Sequence, residues 1–313
     1  MSNASLAFIF PGQGSQKVAM LSELAAQYPI VIETFTEASS VLGYDLWQLC
    51  QSGSQEELNR TECTQPLLLS SSVAMWRVWN ELSETQPSLL TGHSLGEWSA
   101  LVCAGIVDFK DAIRLVQLRG RYMQEAVPAG EGAMSAIIGL EDDAINKACL
   151  TAQQSEVVAA VNFNSPGQVV IAGSTGAVER AGELCKEAGA KRVLPLPVSA
   201  PFHTSLMRPA ADRLAAEIAR TTFNKPEISV IHNVTVASED DPDAIKQLMI
   251  KQIFTPVPWV ACTEALSEAG IDQAVECGPG KVLTGLCKRI NKSLQCFAID
   301  TPEGLSKAHD AIN

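Results

Sequence analysis

The chain predicts an α/β fold, with a mostly parallel sheet covered by helices on both faces and a smaller ferredoxin-like subdomain inserted into it. Three observations lead there. Short apolar segments alternate with helical patterns along the chain, the order that builds a parallel sheet. A Gly-x-Ser-x-Gly run, Gly92-His93-Ser94-Leu95-Gly96, follows small apolar residues and precedes a helical pattern, the strand–turn–helix setting of a nucleophile elbow. Residues 128–198 contain their own β-α-β-β-α-β order. The division expected is therefore 1–127 with 199–313 as one unit and 128–198 as the insert.

In chain order, Leu6–Phe10 is an apolar strand stopped by Pro11. Pro11-Gly12-Gln13-Gly14-Ser15-Gln16 is a tight loop, followed by a helix to about Tyr28. The loop lacks the spaced glycines of a dinucleotide fingerprint and the Gly-Lys-Ser/Thr ending of a phosphate loop. It is either a plain turn or a loop offering backbone N–H groups at a strand's C-terminal end, where open α/β sheets bind ligands. Residues 30–60 read as helices broken at Gly43, and 64–81 as a long helix with Pro66 in its first turn. After the elbow, a helix runs from about 109 to 126 with Asp108 as its N-cap. The insert has strands at 133–140, 157–163, 168–172 and 191–196, helices at 141–153 and 177–188, and a turn at Asn164-Ser165-Pro166-Gly167. Prolines 195, 197 and 201 keep the next stretch extended up to His203, and a helix follows from about Met207 to Arg220. The chain continues with strand 228–233, an acidic loop at 238–243, helices 244–253 and 259–269, strand 273–277, the Gly278-Pro279-Gly280 loop, helix 281–291 and strand 294–299. His309 falls in a polar C-terminal tail. Met1–Ala4 carries no assigned role.

Composition narrows the function. The 313 residues are 46% hydrophobic, enough for a sizeable core, and the net charge is -12. That balance excludes a global nucleic-acid or acidic-membrane binder, so an acidic partner would need a local basic patch. Nine cysteines are scattered without a Cys-x-x-Cys pair, which reads as reduced thiols in a cytoplasmic protein and excludes a metal cluster. The apolar start is too short for a signal-peptide core, and no apolar run reaches membrane-span length.

The chemistry starts at Ser94. A sharp strand-to-helix turn leaves its hydroxyl exposed at a helix N-terminus, where free N–H groups stabilise a developing oxyanion. A serine needs a base, and there are four histidines. His93 is adjacent on the elbow and should point away, as a packed or loop-ordering residue. His232 lies within a strand and His309 in the tail. His203, where a proline-stiffened segment meets a helix, is the best-held candidate. No convincing carboxylate between 94 and 203 could orient its imidazole, so the orienter is a main-chain or amide group, or the triad reading fails. On the helix after the elbow, Ala112, Leu115, Val116, Tyr122 and Met123 share a face by 3–4 spacing, and Arg119 falls on it. A buried guanidinium stays charged and needs a partner: an internal Asp or Glu, or a substrate carboxylate.

Taken together, Pro11-Gly12-Gln13-Gly14-Ser15, Gly92-His93-Ser94-Leu95-Gly96-Glu97, Arg119-Gly120-Arg121, Asn162-Phe163-Asn164-Ser165-Pro166-Gly167-Gln168, Ala200-Pro201-Phe202-His203, Gln252 before Pro256, and Gly278-Pro279-Gly280 resemble, in order and over nearly the whole chain, the malonyl-CoA:acyl-carrier-protein transacylase family. The resemblance implies an α/β-hydrolase-like large domain with a ferredoxin-like insert. It implies Ser94 as nucleophile, His203 as base, and a backbone carbonyl near Gln252 as the orienter. It also implies an oxyanion hole from the N–H groups of Gln13 and Leu95, Arg119 as the clamp for the malonyl carboxylate, and Asn162 beside the site. Malonyl-CoA would be the substrate, acyl carrier protein the partner, and no cofactor would be tightly bound. Since such carriers are acidic, Lys191 with Arg192, and Lys288 and Arg289 with Lys292, are the candidate docking patch. A thioesterase using the same elbow would call for an acidic triad member and no inward arginine. A noncatalytic docking subunit would not need the intact serine, histidine and arginine. A free-standing polyketide-pathway acyltransferase would share every motif.

Overall fold

Alternation along the first strand sets the layering. In the computed structural model, which describes residues 6–198 and 200–313, β1 (Leu6–Phe10) is wholly buried. Leu6, Phe8 and Phe10 pack into one core with Trp79, Trp98 and Leu101, whereas Ala7 and Ile9 pack into another with Trp259, Leu266 and Leu283. A strand with two apolar faces belongs inside a sheet covered on both sides. β1 is indeed central. It pairs in parallel with β2 (Leu89–Gly92) on one side and, among the later strands, with β9 (Gln273–Glu276) on the other. β3 (Gly132–Ile138), β4 (Val158–Ser165), β5 (Gln168–Ser174) and β6 (Arg192–Pro195) form a second sheet, while β7 (Ser229–His232), β8 (Ala237–Ser238) and β10 (Gln295–Ala298) complete the first. The six-stranded order is β10-β9-β1-β2-β7-β8. Only the short β8 runs antiparallel, against β7. It ends at Ser238, where the acidic loop read from the sequence begins.

The second sheet, β4-β5-β3-β6, is antiparallel throughout. Helices Asp142–Gln153 and Thr175–Glu187 connect its strands, the ferredoxin-like arrangement. Ile137, Val169 and Ile171 pack on those helices, while Met134, Ala136, Val170 and Ala172 face the large core. This period-two split fastens the small sheet to the large unit.

Several boundaries differ from the sequence reading. The helix after the first loop is short, Ser22–Gln27, because Ala19 and Leu21 take left-handed backbone angles before it. Residues 30–60 form three helices, Ile30–Leu42, Leu46–Ser52 and Gln55–Asn59. The long helix starts at Thr61, so Pro66 lies beyond its first turn, in a fully buried segment whose packing overrides local preference. His309 is not in a loose tail. It lies in helix Pro302–Ile312, capped by Thr301 and packed through Leu305 and Ala308. Residues 1–5, including the opening stretch without an assigned role, and Ser199 in the proline-rich segment lie outside the described residues. No described helix is long and apolar enough to cross a membrane.

Candidate active site

The C-terminal ends of β1 and β2 converge on the elbow. Ser94 has φ 53° and ψ -107°, a conformation that L-residues avoid and that strand-to-helix elbows impose. The turn closes this tightly only because two side chains are missing. A Cβ on Gly96 would lie 2.0 Å from the Phe10 carbonyl oxygen, and one on Gly92 would lie 2.0 Å from the Gly96 carbonyl carbon. Asn233, just beyond β7, staples the turn. Its Oδ1 accepts from Ser94 N–H at 3.0 Å and its Nδ2 donates to the Gly92 carbonyl at 2.8 Å.

His203 lies 2.8 Å from Ser94 Oγ through Nε2. Its Nδ1 faces two backbone carbonyls, Gln252 at 2.9 Å and Thr255 at 3.1 Å. Carbonyls only accept, so Nδ1 carries the proton and Nε2 is left bare for the serine hydroxyl. The proline-bounded segment ends at His203 with a φ of 63°. The side chain is buried. Burial, with the positive charge of Arg119 added, pulls its pKa from the ordinary histidine range down to about 3. The imidazole is therefore neutral at physiological pH, the state a general base requires.

Arg119 comes off helix Phe109–Glu125 and is 1% exposed. Nη1 donates to Gln65 Oε1 at 3.0 Å, and Nη2 to Gln252 Oε1 at 3.0 Å and Ser94 Oγ at 3.3 Å. Nε, equally buried, has no acceptor. Among the described residues no carboxylate pairs with it directly. Burial lowers its pKa to about 10, while the charge of Glu97 opposes the shift. The guanidinium still keeps its charge at neutral pH, with Nη2 beside the serine.

These groups line one cleft together with Gln13, Gln65, His93, Leu95 and Asn162. Leu95 is the first residue of helix Leu95–Cys103, so its N–H has no acceptor within the helix. Gln13 is in the loop after β1. Asn162 interrupts the β4 register at a bulge, and its Oδ1 is buried without a partner. A second cavity shares Gln13, His93, Asn162 and Leu196 with the first and extends along Gly14, Asn164, Gln168 and Val282. The two form a path leading from the serine past the small sheet. His93 bonds Asn164 Oδ1 at 2.8 Å and leans on Trp259, with its pKa lowered by burial. His232 is a core residue, and its Nδ1 lies 2.8 Å from Glu97 Oε1.

The basic residues are not gathered into this cleft. Arg192 begins the edge strand β6, with Lys191 just before it, and Lys288 and Arg289 occupy the last turn of helix Val282–Ile290. All four are exposed. Gln65, Glu97, Asn233 and the Thr255 carbonyl complete the site, yet nothing in the sequence reading gave them roles. Glu97 stood within a quoted motif. The polar Gln65 inside an apolar helix was a usable signal. The other two depend on tertiary contacts.

The acyl transferase domain model matches residues 7–301. A malonyl CoA-acyl carrier protein transacylase of Salmonella typhimurium is 58% identical over 302 residues, covering 96% of this chain and 98% of that protein. A crystal structure of an acyl carrier protein S-malonyltransferase from Vibrio cholerae superimposes with a TM-score of 0.95 at 61% identity, covering 97% and 99% of the two chains. A malonyl-transacylase solved in complex with a type II PKS acyl-carrier protein matches with a TM-score of 0.97 at 55% identity, covering 98% and 99%. The chain belongs to the acyl transferase family and, within it, to the malonyl CoA-acyl carrier protein transacylases.

Proposed function

We propose that this chain transfers the malonyl group of malonyl-CoA to the phosphopantetheine thiol of acyl carrier protein, supplying malonyl-ACP for fatty-acid synthesis. The observation that carries the reading is a buried arginine with unused donors, 3.3 Å from a serine hydroxyl that is itself bonded to a neutral histidine. A hydrolase of simple esters has no use for such a guanidinium, whereas an acyl group bearing a second carboxylate does.

The reaction runs in two halves. Ser94 Oγ attacks the thioester carbonyl carbon while His203 Nε2 takes the hydroxyl proton. The oxyanion accepts hydrogen bonds from the Leu95 and Gln13 N–H groups, each worth about 3 kcal/mol in well-formed sites. The Gln252 and Thr255 carbonyls hold the imidazolium as it forms, so no acidic residue is needed. Collapse breaks the C–S bond, and the coenzyme A thiolate takes the proton from His203. A malonyl-Ser94 ester remains, with its free carboxylate on Arg119. In the second half the carrier's thiol gives its proton to His203 and attacks the ester carbonyl, and Ser94 is released with its proton restored. Asn162, which lines both cavities, orients the thioester arm. Lys191, Arg192, Lys288 and Arg289 dock the acidic carrier. The nine free thiols support a reducing compartment, the cytoplasm.

A second pathway is favoured by one observation, the likeness to a transacylase solved with a PKS carrier: the same chemistry could feed polyketide assembly. The test is to incubate the protein with malonyl-CoA and a holo carrier of each type and to measure malonyl-carrier formed. Transfer to the fatty-acid carrier is expected. No transfer to any carrier, with malonate released to water instead, would refute the reading.

A further inference from the structure

Burying an arginine without an adjacent carboxylate needs an explanation, because an uncompensated guanidinium in a dry site is strongly unfavourable. The compensation lies one residue away. Glu97, fully buried in the first turn of the elbow helix, accepts from Gln252 Nε2 at 2.7 Å and from the Asn233 N–H at 3.1 Å through Oε2. Its Oε1 meets His232 Nδ1 at 2.8 Å. Gln252 passes the interaction on. The same amide nitrogen also donates to the Ser94 carbonyl at 2.9 Å, and its Oε1 accepts from Arg119. The Gln252 amide is thus held with its NH₂ toward Glu97 and its oxygen toward Arg119.

We propose that Glu97 is a positioning and specificity residue for acyl-group selection. Through the Gln252 amide it balances the Arg119 charge at one remove, close enough to make burial tolerable and far enough to leave the guanidinium free for a substrate carboxylate. This rests on the reading of Arg119 as the malonyl clamp. The chemistry it serves is discrimination between acyl groups that carry a carboxylate and those that do not.

Moving the carboxylate tests it. Glu97→Gln removes the charge while preserving the geometry. The Asn233 N–H keeps the new carbonyl oxygen in place, and His232 can accept at Nδ1 by shifting its proton to Nε2, which has no partner. The double variant E97Q/Q252E returns the charge but sets it directly on Arg119, with net charge and volume conserved. The measurement is the ratio of malonyl to acetyl adduct formed on Ser94 from equal concentrations of the two thioesters, with folding checked by melting. Relative to the parent, the ratio is expected to rise in Glu97→Gln and to fall by about tenfold or more in the double variant. A merely structural role would lower both adducts together and leave the ratio unchanged. A ratio within threefold of the parent in the double variant would overturn the proposal. If that variant does not fold, an unchanged or lowered ratio in Glu97→Gln does so instead. Arg119→Ala separates the two levels. If it too keeps the parent ratio, the clamp reading itself is wrong. If it loses selectivity while the Glu97 variants do not, only the present inference falls.

Discussion

Replacing Arg119 by alanine should convert a malonyl-selective enzyme into an indiscriminate and slow one, and the structure sets the scale. The side chain is 1% exposed, so its contact with a bound carboxylate forms out of water. Deleting one partner of a buried charged pair costs about 3–5 kcal/mol, which at about 1.4 kcal/mol per tenfold is a loss of roughly two to three and a half orders of magnitude in kcat/KM for malonyl-CoA. Acetyl-CoA brings no carboxylate to be abandoned, so its kcat/KM should fall far less. Two side effects can be separated from this. Gln65 Oε1 and Gln252 Oε1 each lose a donor, at about 1–3 kcal/mol apiece, partly offset by removal of a buried charge, and melting reads the balance. Burial still holds the His203 pKa down, but the added push of the Arg119 cation is lost, so the acid limb of the rate profile should move to higher pH. The assay is stopped-flow or quenched acylation with both thioesters across pH. A drop of less than tenfold for malonyl-CoA, or equal losses for the two substrates in a folded variant, would refute the clamp.

Other consequences follow from the same geometry. Gly96→Ala puts a Cβ 2.0 Å from the Phe10 carbonyl oxygen, a backbone collision that cannot relax, so the variant should lose acylation and melt several degrees lower, whereas an unchanged rate would mean that the elbow is less constrained than it looks. With His203 at about 3, kcat/KM for malonyl-CoA should stay level from about pH 8 down to about pH 5 where an ordinary histidine would already be protonated; a limb at the usual histidine value would contradict the burial argument. The same shift bears on stability. The unfolded chain takes this proton near the ordinary value and the folded chain does not, so the His203 contribution is intact above that value and is lost as pH falls toward about 3. The pH-dependence of the melting temperature should be correspondingly flatter in His203→Gln. Charge reversal at Lys288 and Arg289 should raise the KM for carrier protein, more at low salt, and leave that for malonyl-CoA alone; an unchanged carrier KM would remove that helix end from the docking surface.

Local chemistry made part of this site legible in the sequence, and tertiary contact hid the rest. The elbow announces itself because its glycines are required by backbone contacts within a few residues, and Arg119 because helical spacing puts it on an apolar face. His203 is marked by the prolines at 195, 197 and 201 that precede it. The orienter of His203 could not be found by looking for an acid, since two main-chain carbonyls do the work and every residue has one. Glu97 and Asn233 are joined across 136 positions, and no window of sequence contains both. The alternation of strands and helices makes the two sheets readable, but helix Pro302–Ile312 reads as a polar tail despite Thr301, Pro302 and the Leu305/Ala308 spacing. Its polar surface concealed a short apolar stripe. Pro66 shows the opposite: packing in the core holds it inside a helix that local rules start later.

The proposed mechanism requires a covalent bond to one oxygen. Incubation with malonyl-CoA in the absence of carrier, followed by intact-mass and peptide mass spectrometry, should show one malonyl group per chain, on the peptide bearing Ser94, and none in Ser94→Ala. Subsequent addition of holo carrier should remove the group from Ser94 and transfer it to the carrier thiol. No adduct in the parent protein, an adduct that persists in Ser94→Ala, or acetyl-CoA labelling Ser94 as readily as malonyl-CoA would contradict it.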